Sequence, residues 1–196
     1  MSTTRRLALA GLLAIGCFAV SSSARAQSII RQPNNHVTHV EVEIHGNVGA
    51  VFWGTGRGGG WGNGLGLGPG FRVGIPLMRN GFVSSINNMV ALSFGADLGF
   101  WWFNNQGYWY PSLTIPVMLQ WNFYFTPHWS LGAELGLAPE IWFDNNYCVN
   151  NGCWFGPLRI WPSTGVVARY HFGSGNFPTL TMRLGFPTGF AIGVSF

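Results

Sequence analysis

The sequence predicts an all-β fold, an antiparallel up-and-down transmembrane β-barrel of eight strands, and three observations carry that prediction. Apolar residues alternate with small or polar ones along most of the chain, which is the period of a strand whose successive side chains point to opposite faces. Charged residues make up only 8% of the 196 residues, beside 16% aromatics and 29 glycines, whereas a soluble domain usually carries about 25% charge. The few charges also keep to one row. Glu41, Glu43, Asp97, Glu134 and Glu140, with Arg72, Arg159, Arg169 and Arg183, all fall on the polar side of the alternation and none on the apolar side. A soluble barrel turns its apolar row inward and its charges outward. Here the small, glycine-rich row is the one that carries charge, which is the reversed order of a barrel surrounded by lipid.

Residues 1–26 read as a secretory signal peptide: Arg5 and Arg6, an uncharged apolar run from Leu7 to Val20, then Ala24-Arg25-Ala26 before the cut. A rival cleavage lies before Cys17, where Ala14-Ile15-Gly16-Cys17 loosely matches a lipoprotein box. Loss of the signal removes three of the ten arginines, leaving seven against six acids with no lysine. The basic balance therefore belongs mostly to the signal, and nucleic acid is not an expected partner. Residues 27–36 form a short lead, and 37–196 the barrel.

The first strand follows HVEVEIH, with Val40, Val42, Ile44, Gly46, Val48, Ala50 and Phe52 on the apolar row. The second sets Leu65, Leu67, Phe71, Val73, Ile75 and Leu77 against Arg72 and four glycines, and the third sets Val90 to Phe100 against Ser93, Gly95, Asp97 and Gly99. In the fourth, Leu113, Ile115, Val117, Leu119, Trp121, Phe123 and Phe125 oppose Thr114, Met118, Gln120, Asn122 and Tyr124. The fifth opposes Leu131, Ala133, Leu135, Leu137 and Ile141 to Glu134 and Glu140, and the sixth opposes Leu158, Ile160, Val166, Ala168 and Tyr170 to Arg159, Ser163 and Arg169. The last stretch, 179–196, keeps one phase throughout. A turn at Pro187-Thr188 makes it two strands, since Pro187 cannot donate to a ladder; without that turn the count is seven.

Connectors 54–64, 104–111 and 144–156 alternate with 78–87, 126–129 and 173–178, so loops and turns fall at opposite ends. Pro69, Pro76, Pro116, Pro139 and Pro162 interrupt the predicted strands and argue against perfect ladders. Aromatics gather at both ends, Trp53, Trp61, Trp101, Trp102, Tyr108, Trp109, Tyr110, Trp142, Tyr147 and Trp154 at one and Trp121, Tyr124, Trp129, Tyr170 and Phe172 at the other; two interfacial girdles are expected.

With signal, alternation and the ending Gly193-Val194-Ser195-Phe196 together, residues 37–196 resemble a small outer-membrane β-barrel of Gram-negative bacteria, similar to the barrel domain of outer-membrane protein A. The resemblance implies a monomer embedded in outer-membrane lipid, and a terminal aromatic, Phe196, that the barrel-assembly machinery recognises during biogenesis.

The residues suggest no cofactor and no metal. His39, Glu41, Glu43 and His45 share one face, but neighbours two apart in a strand are separated by about 6.6 Å, so the four cannot meet one ion. GTGRGGGWGNG lacks the Lys-Ser/Thr pair of a phosphate loop. No Ser-His-acid set is visible among His36, His39, His45, His128 and His171, so catalysis is not expected. Instead the nine charged side chains are expected to pair across the lumen. Cys148 and Cys153, the only cysteines once Cys17 has left, are expected to form a disulfide over Val149-Asn150-Asn151-Gly152 in an oxidising compartment. Three functions stay open: a non-catalytic structural or surface-interaction barrel with a filled lumen, a narrow channel for ions or small apolar solutes, and a lipid A-modifying enzyme.

Overall fold

Nine strand segments occupy eight positions around a closed antiparallel barrel in a computed structural model that describes residues 28–54, 61–103, 109–143, 158–173, 178–187 and 189–196, with only the backbone of 50–54, 61–63 and 103. The proposed signal peptide with Cys17, most of the glycine-rich loop, and Cys148 and Cys153 lie outside the described residues. In chain order the segments are β1 (Glu41–Gly54), β2 (Trp61–Met78), β3 (Asn88–Phe103), β4 (Trp109–Thr114), β5 (Val117–Tyr124), β6 (Trp129–Trp142), β7 (Leu158–His171), β8 (Thr179–Phe186) and β9 (Gly189–Ser195). Each position pairs with the positions before and after it in the chain, and β9 returns to β1 with Glu43 opposite Ser195 and Val48 opposite Phe190. Among the described residues no helix is long and apolar enough to cross a membrane.

Where nine segments become eight positions, proline is the reason. Both β4 and β5 lie between β3 and β6, so they are one position divided at Ile115-Pro116. Pro116 has no N–H for the ladder, but its carbonyl still accepts from Gly95 N at 3.2 Å, and Ile115 N donates to Pro139 O at 2.7 Å. The face alternation survives the division, with Ser112, Thr114, Met118 and Gln120 all buried. Pro69, Pro139 and Pro162 sit inside paired strands, while the β2–β3 register shifts between Pro76 and Met78. The connector to β2 is shorter than expected from sequence, for β2 begins at Trp61, and β4 begins at Trp109 and takes in Pro111.

The stretch 179–196 is two strands, turned at Pro187. Leu184 faces Phe190 and Gly185 faces Gly189, and Gly189 takes φ +76°, a left-handed conformation open to glycine without strain.

Side chains divide as the alternation requires. Glu43, His45, Arg72, Asp97, Gln120, Glu134, Arg169 and Arg183 are buried inside, while Ile44, Leu67, Leu119, Leu135, Ile160, Val166, Leu184 and Ile192 are exposed outside, Leu135 by 69%. The segment between β2 and β3 is longer than a hairpin turn because it folds back on the barrel. Asn88, wholly buried, donates to the carbonyls of Asn80, Val83 and Ile86 and accepts from Trp121 Nε1 at 2.8 Å, and Phe82 meets the Trp121 ring edge-on.

Candidate functional site: a charged lumen capped at both ends

Interior positions on seven of the nine strand segments build one connected chain of polar side chains. Arg72 donates to Asp97 at 2.6 Å, and the other Asp97 oxygen lies 2.9 Å from His45 Nε2. His45 Nδ1 stands 3.2 Å from Glu43, an electrostatic contact without hydrogen-bond alignment. Arg183 grips Glu43 with two nitrogens, at 2.7 and 3.1 Å, and its Nε donates to Glu134 at 2.9 Å. Glu134 accepts from Gln120, whose carbonyl oxygen accepts from Arg169, which also donates to Asn122 at 2.8 Å. Arg169 approaches Glu41 at 3.6 Å.

These contacts do not follow the nearest-neighbour register. Glu43 sits directly opposite Arg72 on the β1–β2 ladder, yet Arg72 turns to Asp97 and Glu43 takes the guanidinium of Arg183, 140 residues away. Arg183 on β8 skips a strand in both directions, to β1 and to β6. Gly70 makes the His45–Asp97 pair possible, since a Cβ there would overlap both Asp97 Oδ1 and His45 Nε2. The paired charges offset one another in a buried interior, where an isolated charge would be very costly, although Arg72 Nε and Nη1 and Arg169 Nε have no hydrogen-bond partner.

The structure thus brings together Glu41, Glu43, Arg72, Asp97, Glu134, Arg169 and Arg183. Glu140 and Arg159 stand apart near the loop end, opposite each other in the β6–β7 register, where Glu140 accepts from Trp161 Nε1 at 2.8 Å and the Arg159 guanidinium lies 5.8 Å from the Trp142 ring. Phe196 is exposed at the turn end and exchanges two backbone hydrogen bonds with Val42. Among the described residues no group of His, Cys, Asp and Glu is placed to hold a metal ion.

Sequence reading put the end aromatics in two outward girdles, and for four of them the structure corrects this. Trp101, Tyr110 and Trp142 are buried and cluster inside the loop end, with Trp101 Nε1 donating to Ser112 at 2.9 Å. Tyr124 is buried inside the turn end. The reason is parity. Trp101 lies an even number of residues from Asp97, Trp142 from Glu140 and Tyr124 from Gln120, so each must point inward with that charged or polar neighbour. Trp109, Trp129 and Phe172 do face outward.

The lead, read from sequence only as a connection, closes the turn end. Ile29 is buried against Met89, Ala91 and Tyr124, held by Ile29 N to Phe125 O and Asn87 N to Ile30 O. His36 stacks flat on Tyr124 with centroids 4.2 Å apart and bonds Asn87 Oδ1 at 2.6 Å. Burial, aided by nearby Arg79, lowers the His36 pKa despite the bond to Asn87. The signal for this plug was the lumen row itself, which turns apolar at Met89 and Ala91 and so needs an apolar partner. Beneath the charge network the lead borders a cavity of about 300 Å³; a second space near Asn47, Asp97 and Ser112 measures about 20 Å³, room for roughly one water. No family model matches the chain, and no curated protein matches it significantly.

Proposed function

We propose that the chain is an outer-membrane β-barrel with a side-chain-filled lumen and a non-catalytic structural or surface-interaction role. One observation carries the reading: the barrel buries its ion pairs and exposes Ile44, Leu67, Leu119, Leu135, Ile160, Leu184 and Ile192 around its wall. Exposed apolar patches larger than a few hundred Å² are rare on soluble monomers, whereas a lipid-facing wall needs one. Most spanning positions are also long enough: β1, β2, β3, β6 and β7 have 14 to 18 residues where about 9–11 suffice, while β8 and β9 have 8 and 7. The outward Trp109, Trp129 and Phe172 then belong at the lipid–water boundaries. The Asp97–His45–Glu43–Arg183–Glu134 chain fills the bore, which favours a closed barrel over a conduit.

The test is fractionation of cells expressing the full chain. The protein should stay with membranes through alkaline carbonate and migrate faster on gels before boiling than after. Recovery in the carbonate supernatant would refute the reading, and unitary conductance steps in planar bilayers would replace the filled lumen with a channel.

A further inference from the structure

The cavity at the turn end has a chemistry that the filled lumen does not use. It lies below the charge network, bordered by Ile29, His36, His39, Glu41 and Tyr124, and its rim includes the exposed residues Asn34, Asn35 and Pro127. Its volume of about 300 Å³ is at the small end of ligand pockets, which run about 300–1,000 Å³.

The under-compensated charge on its wall is negative. Glu41 keeps part of its carboxylate exposed and has Arg169 only at 3.6 Å, while that guanidinium spends its shorter bonds on Asn122 and Gln120. His36 Nδ1 faces Asn87 Oδ1, and the Asn87 amide nitrogen donates to Asn35 O, so the ring proton belongs on Nδ1. Burial keeps that ring neutral at pH 7. His39 Nδ1 is withdrawn from water and without a partner. Ile29 and the Tyr124–His36 stack supply an apolar and aromatic wall. An anion would meet the Glu41 carboxylate, and a neutral apolar molecule would bury that charge without bringing it a closer cation.

We infer that this cavity is a binding site for a small organic cation, a primary ammonium on a short apolar or aromatic body, with Glu41 facing the ammonium and the Tyr124–His36 stack facing the body. The site depends on the membrane reading only for the compartment that supplies the ligand.

The experiment uses the full chain without its signal, refolded in detergent micelles, titrated at pH 7.5 by calorimetry against empty micelles. The probes are benzylamine and benzyl alcohol, which share a ring and differ in charge. Benzylamine should bind saturably at one per chain and at least tenfold tighter than the alcohol. Glu41→Gln should erase that difference, and His36→Ala, which removes the ring stacked on Tyr124, should weaken both probes at least threefold. Val37→Trp, on an exposed lining residue away from the ion pairs, should abolish binding with the barrel intact by gel mobility. Equal affinity for the two probes, no saturable binding, or binding that survives Val37→Trp would overturn the site. Because the protein is in micelles throughout, a negative result leaves the carbonate test standing, and the reverse holds too.

Discussion

Arg183→Met removes a guanidinium that holds two buried carboxylates at once, and its cost follows from the geometry. Arg183 meets Glu43 at 2.7 Å and Glu134 at 2.9 Å, with all three side chains 5% exposed or less. Coulomb attraction at those distances is about 6 kcal/mol per contact with an effective dielectric of about 20. Most of that offsets the desolvation of the guanidinium, so the pair is worth far less than the sum, but its destruction strands charge. Breaking a buried pair by removing one partner costs about 3–5 kcal/mol. Here two carboxylates lose it, softened by His45 beside Glu43 and Gln120 beside Glu134. The expected loss is about 4 kcal/mol, read as the urea midpoint of protein refolded into phospholipid vesicles and followed by tryptophan fluorescence. The triple variant Arg183→Met, Glu43→Gln, Glu134→Gln removes the stranded charges and should regain at least half of that loss. A single variant within about 1 kcal/mol of the parent, the size of an exposed surface pair, would refute the buried-network argument, as would a triple variant no more stable than the single.

Leu119→Arg places a charge on the outer wall between Leu92 and Leu135 and should cost about 2–4 kcal/mol in vesicles; a neutral result would mean that this face does not meet lipid. Asn88→Ala removes four bonds with the 79–87 segment, the one from Val83 N long at 3.4 Å, and one from Trp121, a loss of about 2–4 kcal/mol at up to about 1 kcal/mol per bond, and trypsin should then cut after the exposed Arg79, as mass spectrometry would show. For His36 the folded pKa lies below the ordinary 6.5, so the stability it lends to lead docking is complete above pH 6.5 and is lost as pH falls toward the folded value. Amide exchange at Ile29 and Asn87, corrected for intrinsic rates, should therefore accelerate at pH 5, and His36→Phe should abolish that acceleration.

The barrel was legible because alternation at period 2 is a property of the backbone, and the segregation of Glu43, Arg72, Asp97, Glu134 and Arg183 fixed which row lies inside. Two features were less so. The unbroken phase across 179–196 could not reveal the turn: Gly185 and Gly189 face each other across an odd number of residues, which leaves the alternation in step whether the chain turns or runs on. Partner choice in the lumen was also hidden, because long guanidinium arms reach past adjacent strands and the space that admits them depends on absences such as the missing side chain of Gly70. The lead's docking rested on Ile29 finding Met89 and Ala91, a match between an apolar lead and an apolar stretch of lumen that alternation alone does not connect.

The wiring of the lumen also sets the order in which the fold can be completed. Every hairpin from β1 to β7 forms through sequence-local pairing, but Glu43 and Arg183 stand 140 residues apart and meet only when the last hairpin swings round to the first strand. Until then a partly closed barrel carries Glu43 and Glu134 without their shared cation, at a penalty that grows as water leaves the interior. The seam itself, from Val48–Phe190 to the paired backbone bonds of Val42 and Phe196, adds its hydrogen bonds at the same moment. Charge compensation and edge closure therefore arrive in a single late event, so half-closed species are disfavoured on two counts and the barrel should open and shut as one cooperative unit rather than unzip from either side.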